Sequence, residues 1–133
     1  MIGSNAFNYI NVLNKAADAS WTRNEVLANN IANVDTPDYK RKDICFEDYL
    51  KGELGKEYYG GGDLNKRVAN VNLSKLGATI YTDQKELSYR YDGNNVDINT
   101  ENANLAENQI KYYTLLDSMT QEFSRIKSVL TNN

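Results

Sequence analysis

Apolar residues recur at helical spacing near the start of the chain. Between residues 5 and 34 there is neither Pro nor Gly, and one line of mostly apolar positions advances in alternating steps of three and four. This heptad pattern is typical of a helix that packs against another helix. We predict a coiled-coil helix within residues 1–36, ended by Thr36-Pro37 because the residue before proline avoids the α region. The line consists of Ile10, Leu13, Ala17, Ser20, Asn24, Leu27, Ile31 and Val34.

The end of the chain repeats the pattern. Residues 99–130 also lack Pro and Gly, and their line consists of Leu105, Gln109, Tyr112, Leu116, Met119, Phe123, Ile126 and Leu130. We predict a second helix within residues 99–133 that pairs with the first as a coiled-coil hairpin, the two forming one domain of a mainly α fold. The polar residues Ser20, Asn24, Asn102 and Gln109 are expected to set its register at a cost in stability.

Several large side chains fall outside these two lines of positions, which we call the seams. They are Phe7, Tyr9, Trp21 and Val26 in the first helix and Ile110, Tyr113 and Leu115 in the second. A hairpin of two helices cannot cover both sets. We therefore expect partners to cover them.

Residues 37–98 have a different pattern. A short amphipathic helix is predicted within residues 43–54, and Gly60-Gly61-Gly62 indicates a flexible loop. Residues 78–83 and 87–92 alternate with period two and are predicted to pair as a β-hairpin. The middle region is thus expected to be a small irregular or β-hairpin insert between the helices.

Composition limits the chemistry. The 133 residues carry a net charge of −3 and no histidine. No basic stripe is present, which argues against a nucleic-acid partner. The commonest general base and metal ligand is missing, so we expect no catalytic residues, no metal, no cofactor and no small-molecule substrate. The first residues lack the pattern of a cleaved signal peptide.

Two other functions stay open on this basis. A cell-wall-cleaving enzyme would use a pair of carboxylates such as Asp83 and Asp92. A cytoplasmic coiled-coil adaptor would form closed oligomers of fixed size and would not be exported. Neither hypothesis has a motif of its own in the chain.

The exit of the first helix carries the most specific pattern. Three asparagines on one turn lower helix propensity, so they are expected to satisfy particular neighbours. Small alanines permit close helix approach, and Thr-Pro-Asp predicts a turn. A plain helix stop is the simpler interpretation of the same residues. The predicted assembly motif consists of Asn29, Asn30, Ala32, Asn33, Thr36, Pro37 and Tyr39.

This stretch resembles the signature of the bacterial flagellar axial proteins, in which Ala-Asn-Asn-Ile/Leu-Ala-Asn precedes Thr-Pro-Gly-Tyr. The match covers Ala28 to Arg41 and departs at Asp38, where the family usually has Gly; aspartate tolerates the left-handed backbone better than most residues. Residues 43–46, 92–97 and 101–113 add further matches in the same order. Together they resemble the flagellar basal-body rod protein family, most closely its members next to the inner-membrane ring.

The resemblance implies a structural subunit of an axial tube that transmits torque, surrounds the export channel and is required for motility. Its terminal helices would form the inner coiled-coil layer of the tube. Its implied partners are other flagellar rod proteins, the ring-rod junction protein, the inner-membrane ring and, in transit, the flagellar export apparatus. The implied location is the flagellar basal body, reached across the cytoplasmic membrane without a cleaved signal peptide.

Overall fold

The structure is a computed structural model that describes residues 3–56, 63–87 and 90–131. Two long helices, α1 (Gly3–Ala32) and α4 (Ile98–Thr131), lie antiparallel to each other. Their direction is evident from cross-helix contacts: Asn108 bonds to Ser20, and Glu101 near the start of α4 bonds to Asn30 near the end of α1. The predicted mainly α fold, with long terminal helices and a small insert between them, is confirmed.

A two-stranded antiparallel sheet forms between the helices, but with a different pairing from the predicted one. β2 (Thr79–Thr82) lies inside the expected strand, yet it pairs with β1 (Lys42–Cys45) and not with residues 87–92. The register places Lys42 opposite Thr82 and Cys45 opposite Thr79.

The hairpin prediction was wrong because a side chain redirects the chain after β2. The Asn95 amide donates to the backbone oxygens of Asp83 and Lys85 at 2.8 and 2.7 Å, which holds the segment after β2 beside the turn that leads into α4. In the described part of residues 87–92 there is no strand, and Ser88 and Tyr89 lie outside the described residues.

The rest of the insert packs on α1. It contains α2 (Glu47–Gly55), which falls largely in the predicted helix, followed by α3 (Leu64–Ala69) and a 3-10 turn (Leu73–Lys75), neither of which was predicted. The predicted loop at Gly60-Gly61-Gly62 lies outside the described residues. Ala16 and Ala19 of α1 form a small core with Phe46 and Leu76, so the insert covers a face of α1 that the helix pair alone would leave open.

Candidate assembly site

The end of α1 is joined to the start of α4 through one buried asparagine. Asn30 is 0% exposed. Its Nδ2 donates to Glu101 Oε2 at 2.9 Å and to the Lys42 oxygen at 2.7 Å, and its Oδ1 accepts from the Lys42 N–H at 2.9 Å and from the Tyr39 hydroxyl at 3.2 Å. One side chain therefore connects α1, β1, the turn between them and α4.

A charge cluster surrounds this contact. Arg41 Nε donates to Glu101 Oε1 at 2.6 Å, and its terminal nitrogens bond to Asp43 and Asp83 at 3.1 and 3.3 Å. Arg23 of α1 makes a two-point contact with Asp43 at 2.9 and 3.2 Å. The cluster fixes α1, both strands and α4 relative to one another.

The pKa values in the cluster follow from these contacts. Burial alone would lower the pKa of the Arg41 guanidinium, but hydrogen bonds to Glu101 and Asp43 raise it above its ordinary value. Burial alone would raise the pKa of Asp43, but hydrogen bonds from Arg23 and the Ile44 amide hold it below its ordinary value. Both groups are therefore held in their charged forms.

Two further asparagines connect the loop before α4 to the end of α1. Asn94 Nδ2 donates to the backbone oxygens of Asn33, Val34 and Thr36 at 2.8, 3.0 and 2.8 Å, which satisfies carbonyls that the helix end leaves free. Asn95 Oδ1 accepts from the Arg41 N–H at 2.6 Å. We call the five side chains at this end of the helix pair the joint: Asn30, Arg41, Asn94, Asn95 and Glu101.

The turn between α1 and β1 contains the one departure from the resembled signature. Asp38 adopts a φ of 58°, in the left-handed region, as expected for a position that is usually Gly. Its N–H donates to the Asp92 oxygen at 2.8 Å. Gly93 lies opposite with a φ of 76°, and a Cβ there would collide with the Asp38 carboxylate. The positive φ therefore favours glycine at position 93, and any larger residue would also displace the Asp38 carboxylate.

The predicted assembly motif divides into two groups. Asn30 and Tyr39 belong to the internal contacts of the joint, and Asn33 donates to the Asn29 oxygen at 2.8 Å within its own turn. Asn29, Ala32, Thr36 and Pro37 are exposed. An assembly role for these four exposed residues stays a prediction, while Asn94, Asn95 and Arg41 are structural neighbours that the predicted motif did not include.

The first seam lies on the covered side of α1. Ile10, Ala17, Ser20 and Leu27 are buried, and Leu13, Asn24, Ile31 and Val34 are half-buried. Ala16, Ala19, Val26 and Asn30 are buried as well, because the insert widens the covered face. Phe7 and Trp21 remain exposed, and the Trp21 ring lies 5.8 Å from that of Tyr112 in α4.

The second seam is offset from the predicted one. Four of the predicted positions, Leu105, Tyr112, Met119 and Ile126, are half-buried. At the other predicted positions, the side chain that faces inward belongs to the residue one place earlier in the sequence. Those inward positions are Glu101, Asn108, Leu115 and Glu122. Leu130 and Phe123 are 72% and 51% exposed, and Leu116 is 37% exposed and so partly covered. The offset arises because Glu101 and Asn108 turn inward to meet specific polar partners.

These two polar residues take the register role assigned to Asn102 and Gln109, which are exposed. Asn108 is 1% exposed, and its Nδ2 donates to the Ser20 oxygen at 2.7 Å and to Asn24 Oδ1 at 2.9 Å. The Asn24 side chain therefore contacts a polar partner one residue away from the expected one, whereas Ser20 contributes its backbone oxygen.

The offset leaves an apolar face of α4 uncovered. Four large side chains at spacings of three and seven residues lie on this face, and we call them the α4 stripe: Tyr113 at 70% exposure, Leu116 at 37%, Phe123 at 51% and Leu130 at 72%. Ile110 is also 70% exposed. Tyr113 continues the aromatic contact of Trp21 and Tyr112, its ring lying 5.9 Å from that of Tyr112.

The carboxylates considered for wall cleavage are engaged in structural contacts. A hydrogen bond from the Lys85 backbone N–H, together with Arg41, holds the pKa of Asp83 below its ordinary value. A side-chain hydrogen bond from Arg90 does the same for the pKa of Asp92. A glycosidase acid needs a raised pKa, so this pair does not suit that role. Across residues 3–56, 63–87 and 90–131 no cluster of His, Cys, Asp and Glu could hold a metal ion.

None of the helices in the described ranges combines the length and the apolar content needed to cross a membrane. α4 is long enough, but charged and polar residues recur along it. α4 is therefore amphipathic: the stripe lies along one part of its surface, and polar residues lie along the rest of its exposed surface.

Known proteins similar to this chain share one description. The family described as "Flagella basal body rod protein" matches residues 10–40. The flagellar basal body rod protein FlgB of Bacillus subtilis is 36% identical over 124 residues, covering 90% of each chain. FlgB of Borrelia hermsii is 30% identical over 91% of this chain and 94% of its own, and FlgB of Escherichia coli is 34% identical over 81% and 82%. The chain belongs to the flagellar basal body rod protein family.

Proposed function

From this family membership we propose that the chain is a structural subunit of the flagellar basal-body rod, and that the α4 stripe packs against a helix of a neighbouring rod subunit. The observation that carries the second statement is the row of four large side chains left exposed along α4, beside the face of this helix that packs on α1. Fully burying a side chain of this size contributes roughly 1.5–3 kcal/mol.

The joint supports this role by holding α4 in place. Because Glu101 and Asn108 fix the register of α4 on α1, the stripe is presented at a defined angle and height. A subunit that adds to a tube must offer one surface to a neighbour and receive a different one from the next, in contacts that do not close on themselves. The stripe and the exposed turn at Asn29, Ala32, Thr36 and Pro37 are two different surfaces of this kind.

The finer assignments extend the same proposal. The subunit forms part of the axial tube around the export channel, helps transmit torque and is required for motility. Its partners are other rod proteins, the ring-rod junction protein and the inner-membrane ring. It reaches the basal body through the flagellar export apparatus. The resemblance of its motifs to those of rod proteins supports each of these statements.

Complementation of a strain that lacks the gene tests the proposal. The wild-type chain should restore swimming and appear in purified basal bodies. The double variant Leu116→Ser/Phe123→Ser should fold, since both side chains are exposed, yet incorporate roughly tenfold less or worse, because more than about 1.4 kcal/mol of apolar burial is lost. Gln121→Ser, on the polar side of α4, is the control and should incorporate normally.

Two results would contradict the proposal. Normal swimming of the deletion strain would remove the rod function. Normal incorporation of the double variant would remove the stripe as the contact surface and leave the rod function intact.

A further inference from the structure

The two edges of the small sheet differ in whether their outward-facing backbone groups are hydrogen-bonded. On β1, side chains occupy three of the four backbone groups of Lys42 and Ile44 that face away from β2. The Lys42 N–H and oxygen both bond to the Asn30 amide, at 2.9 and 2.7 Å, as they would to a neighbouring peptide group. The Ile44 N–H donates to the Asp43 carboxylate at 2.8 Å. Among the described residues only the outward Ile44 oxygen has no such bond, so most of the β1 edge is closed.

The β2 edge is open. The Asp83 N–H donates to the Arg41 oxygen at 2.9 Å, so these two residues form a hydrogen-bonding pair. Bonding and non-bonding pairs alternate along antiparallel strands, and the register then directs the backbone groups of Tyr81 toward β1 and those of Ile80 and Thr82 away from it. Among the described residues, none bonds to these outward N–H and C=O groups of Ile80 and Thr82.

β2 is short, at four residues, but it lacks other features that usually protect an edge strand. Its sequence, Thr79–Thr82, contains no charge and no proline, and all four residues are exposed. Ile80 and Tyr81, on opposite faces, are 51% and 46% exposed. Natural edges are normally blunted by charges, proline, bulges or a covering element, because unpaired backbone groups are a template for another strand.

We propose that the free edge of β2 accepts an extended backbone segment of a neighbouring rod subunit, which adds as a third strand. This inference rests on the proposed function, because the rod supplies the occupant. The outward N–H and C=O groups of Ile80 and Thr82 define its chemistry: a strand with backbone groups free to pair. Backbone hydrogen bonds give the affinity in this mode of recognition.

A second copy of the same sheet does not meet this requirement. Antiparallel pairing of one β2 with another creates a two-fold axis and a closed dimer, whereas a tube needs contacts that continue. The sheet cannot extend through β1 either, since Asn30 and Asp43 close most of that edge. The occupant is therefore a different segment, presented in extended form.

A groove next to β2 can distinguish among the segments that could pair with its free edge. Thr79 and Tyr81 line a groove of about 570 Å³ together with Glu47, Asp48 and Lys111. Alternate side chains of an added strand lie on the same face of the sheet as Thr79 and Tyr81. These side chains enter the groove side, where apolar and charged groups can distinguish one segment from another.

The test removes the outward donors one at a time. Ile80→Pro and Thr82→Pro each delete one free-edge N–H and leave the ladder to β1 intact, because proline is tolerated on an edge strand where its nitrogen faces solvent. Ile80→Ala and Thr82→Ala are the matched controls: they shorten the side chain and keep the donor. Each variant is expressed in a strain lacking the gene, and the amount of chain in purified basal bodies is measured.

The proline variants should incorporate roughly fivefold less than their alanine controls, the effect of losing about one hydrogen bond. The isolated proline and alanine variants should show the same unfolding temperature. Equal incorporation of each proline variant and its alanine control would overturn the inference. If the wild-type chain itself fails to enter basal bodies, the proposed function fails first, so the two failures are distinguishable.

A second measurement keeps the inference testable even if a proline variant unfolds. A photo-reactive amino acid in place of Tyr81 should crosslink, in assembled rods, to a peptide from a neighbouring subunit outside its β2 strand. Crosslinks only to residues of the same chain, or to β2 of a second copy, would overturn the inference.

Discussion

α1 and α4 have similar lengths and the same kind of heptad pattern, yet the fold covers them very differently. α1 buries apolar residues along most of its length, from Ile10 to Leu27. In α4 only Glu101 and Asn108 are buried, and both are polar. α1 lies between α4 and the insert, whereas α4 packs mainly on α1.

The difference teaches that one sequence pattern serves two purposes. In α1, the heptad positions complete the fold of the chain itself. In α4, two polar side chains fix the helix in place, and much of the apolar surface faces outward. We infer that α4 is stabilised within the chain by specific polar contacts and within the rod by apolar ones.

Removal of the Glu101 carboxylate from the joint should have the largest effect on stability. Glu101→Ala leaves the partly buried Arg41 and the buried Asn30 without their shared partner, and we expect a loss of about 3 kcal/mol in the free energy of unfolding. Urea denaturation followed by circular dichroism measures it. Glu107→Ala, at an exposed position of the same helix, should change stability by less than about 0.5 kcal/mol.

Should Glu101→Ala not fold at all, Glu101→Gln provides a milder version of the same test. It keeps the shape of the side chain and removes the charge facing Arg41. A stability equal to wild type for Glu101→Gln would show that the joint does not depend on the ion pair.

Substitutions at two adjacent leucines test whether the second seam is offset from its predicted positions. Leu115 packs against the core beside α1, whereas Leu116 is 37% exposed on the stripe. Leu115→Ala should cost about 2 kcal/mol of stability and Leu116→Ala less than about 1 kcal/mol. The reverse order in thermal or urea unfolding would restore the predicted seam and refute the observed one.

Asn108 and Gln109 form a second adjacent pair with a smaller expected difference. Asn108→Ala removes the hydrogen bonds to Ser20 and Asn24 and should cost about 1 kcal/mol. Gln109→Ala should have almost no effect, because the side chain is exposed. Equal effects of the two substitutions would argue against Asn108 as the residue that sets the register.

Acid should weaken the charge cluster around Arg41. The pKa values of Asp43 and Asp83 are lower in the folded chain than their ordinary values. Their stabilising effect is therefore complete above the ordinary carboxylate pKa of about 4 and is lost as the pH falls below it. In unfolding measurements at decreasing pH, Asp43→Asn should show a shallower loss of stability than wild type. An unchanged slope would contradict this.

Helical periodicity predicted both long helices and their pairing, because a heptad pattern is a local property of the sequence. It could not distinguish Asn108 from Gln109 or Leu115 from Leu116, since either choice keeps the spacing. The decision depends on partners distant in sequence, such as Ser20 and Asn30. The hairpin prediction failed for the same reason, because the Asn95 side chain redirects the chain after β2.

The assembly motif was predicted as a group, but its internal division was not. Asn29 and Asn30 are adjacent and chemically identical, and only the helix phase turns Asn30 toward Glu101 and leaves Asn29 exposed. Of the three asparagines expected to have specific neighbours, only Asn30 meets that expectation; Asn33 bonds within its own turn and the Asn29 side chain is exposed. Asn94 and Asn95 contact residues that lie 54 to 61 positions earlier in the chain. Nothing in the local sequence indicates these contacts.

The central claim is that one face of α4 packs within the chain, whereas the α4 stripe packs against a neighbouring subunit of the rod. The most direct test is the reactivity of a cysteine placed at Phe123→Cys, in a chain carrying Cys45→Ser, toward a maleimide, with Gln121→Cys as the control. Both positions should react readily in the isolated chain, and in purified basal bodies position 123 alone should be protected. Equal reactivity at position 123 in the isolated chain and in basal bodies would contradict the claim.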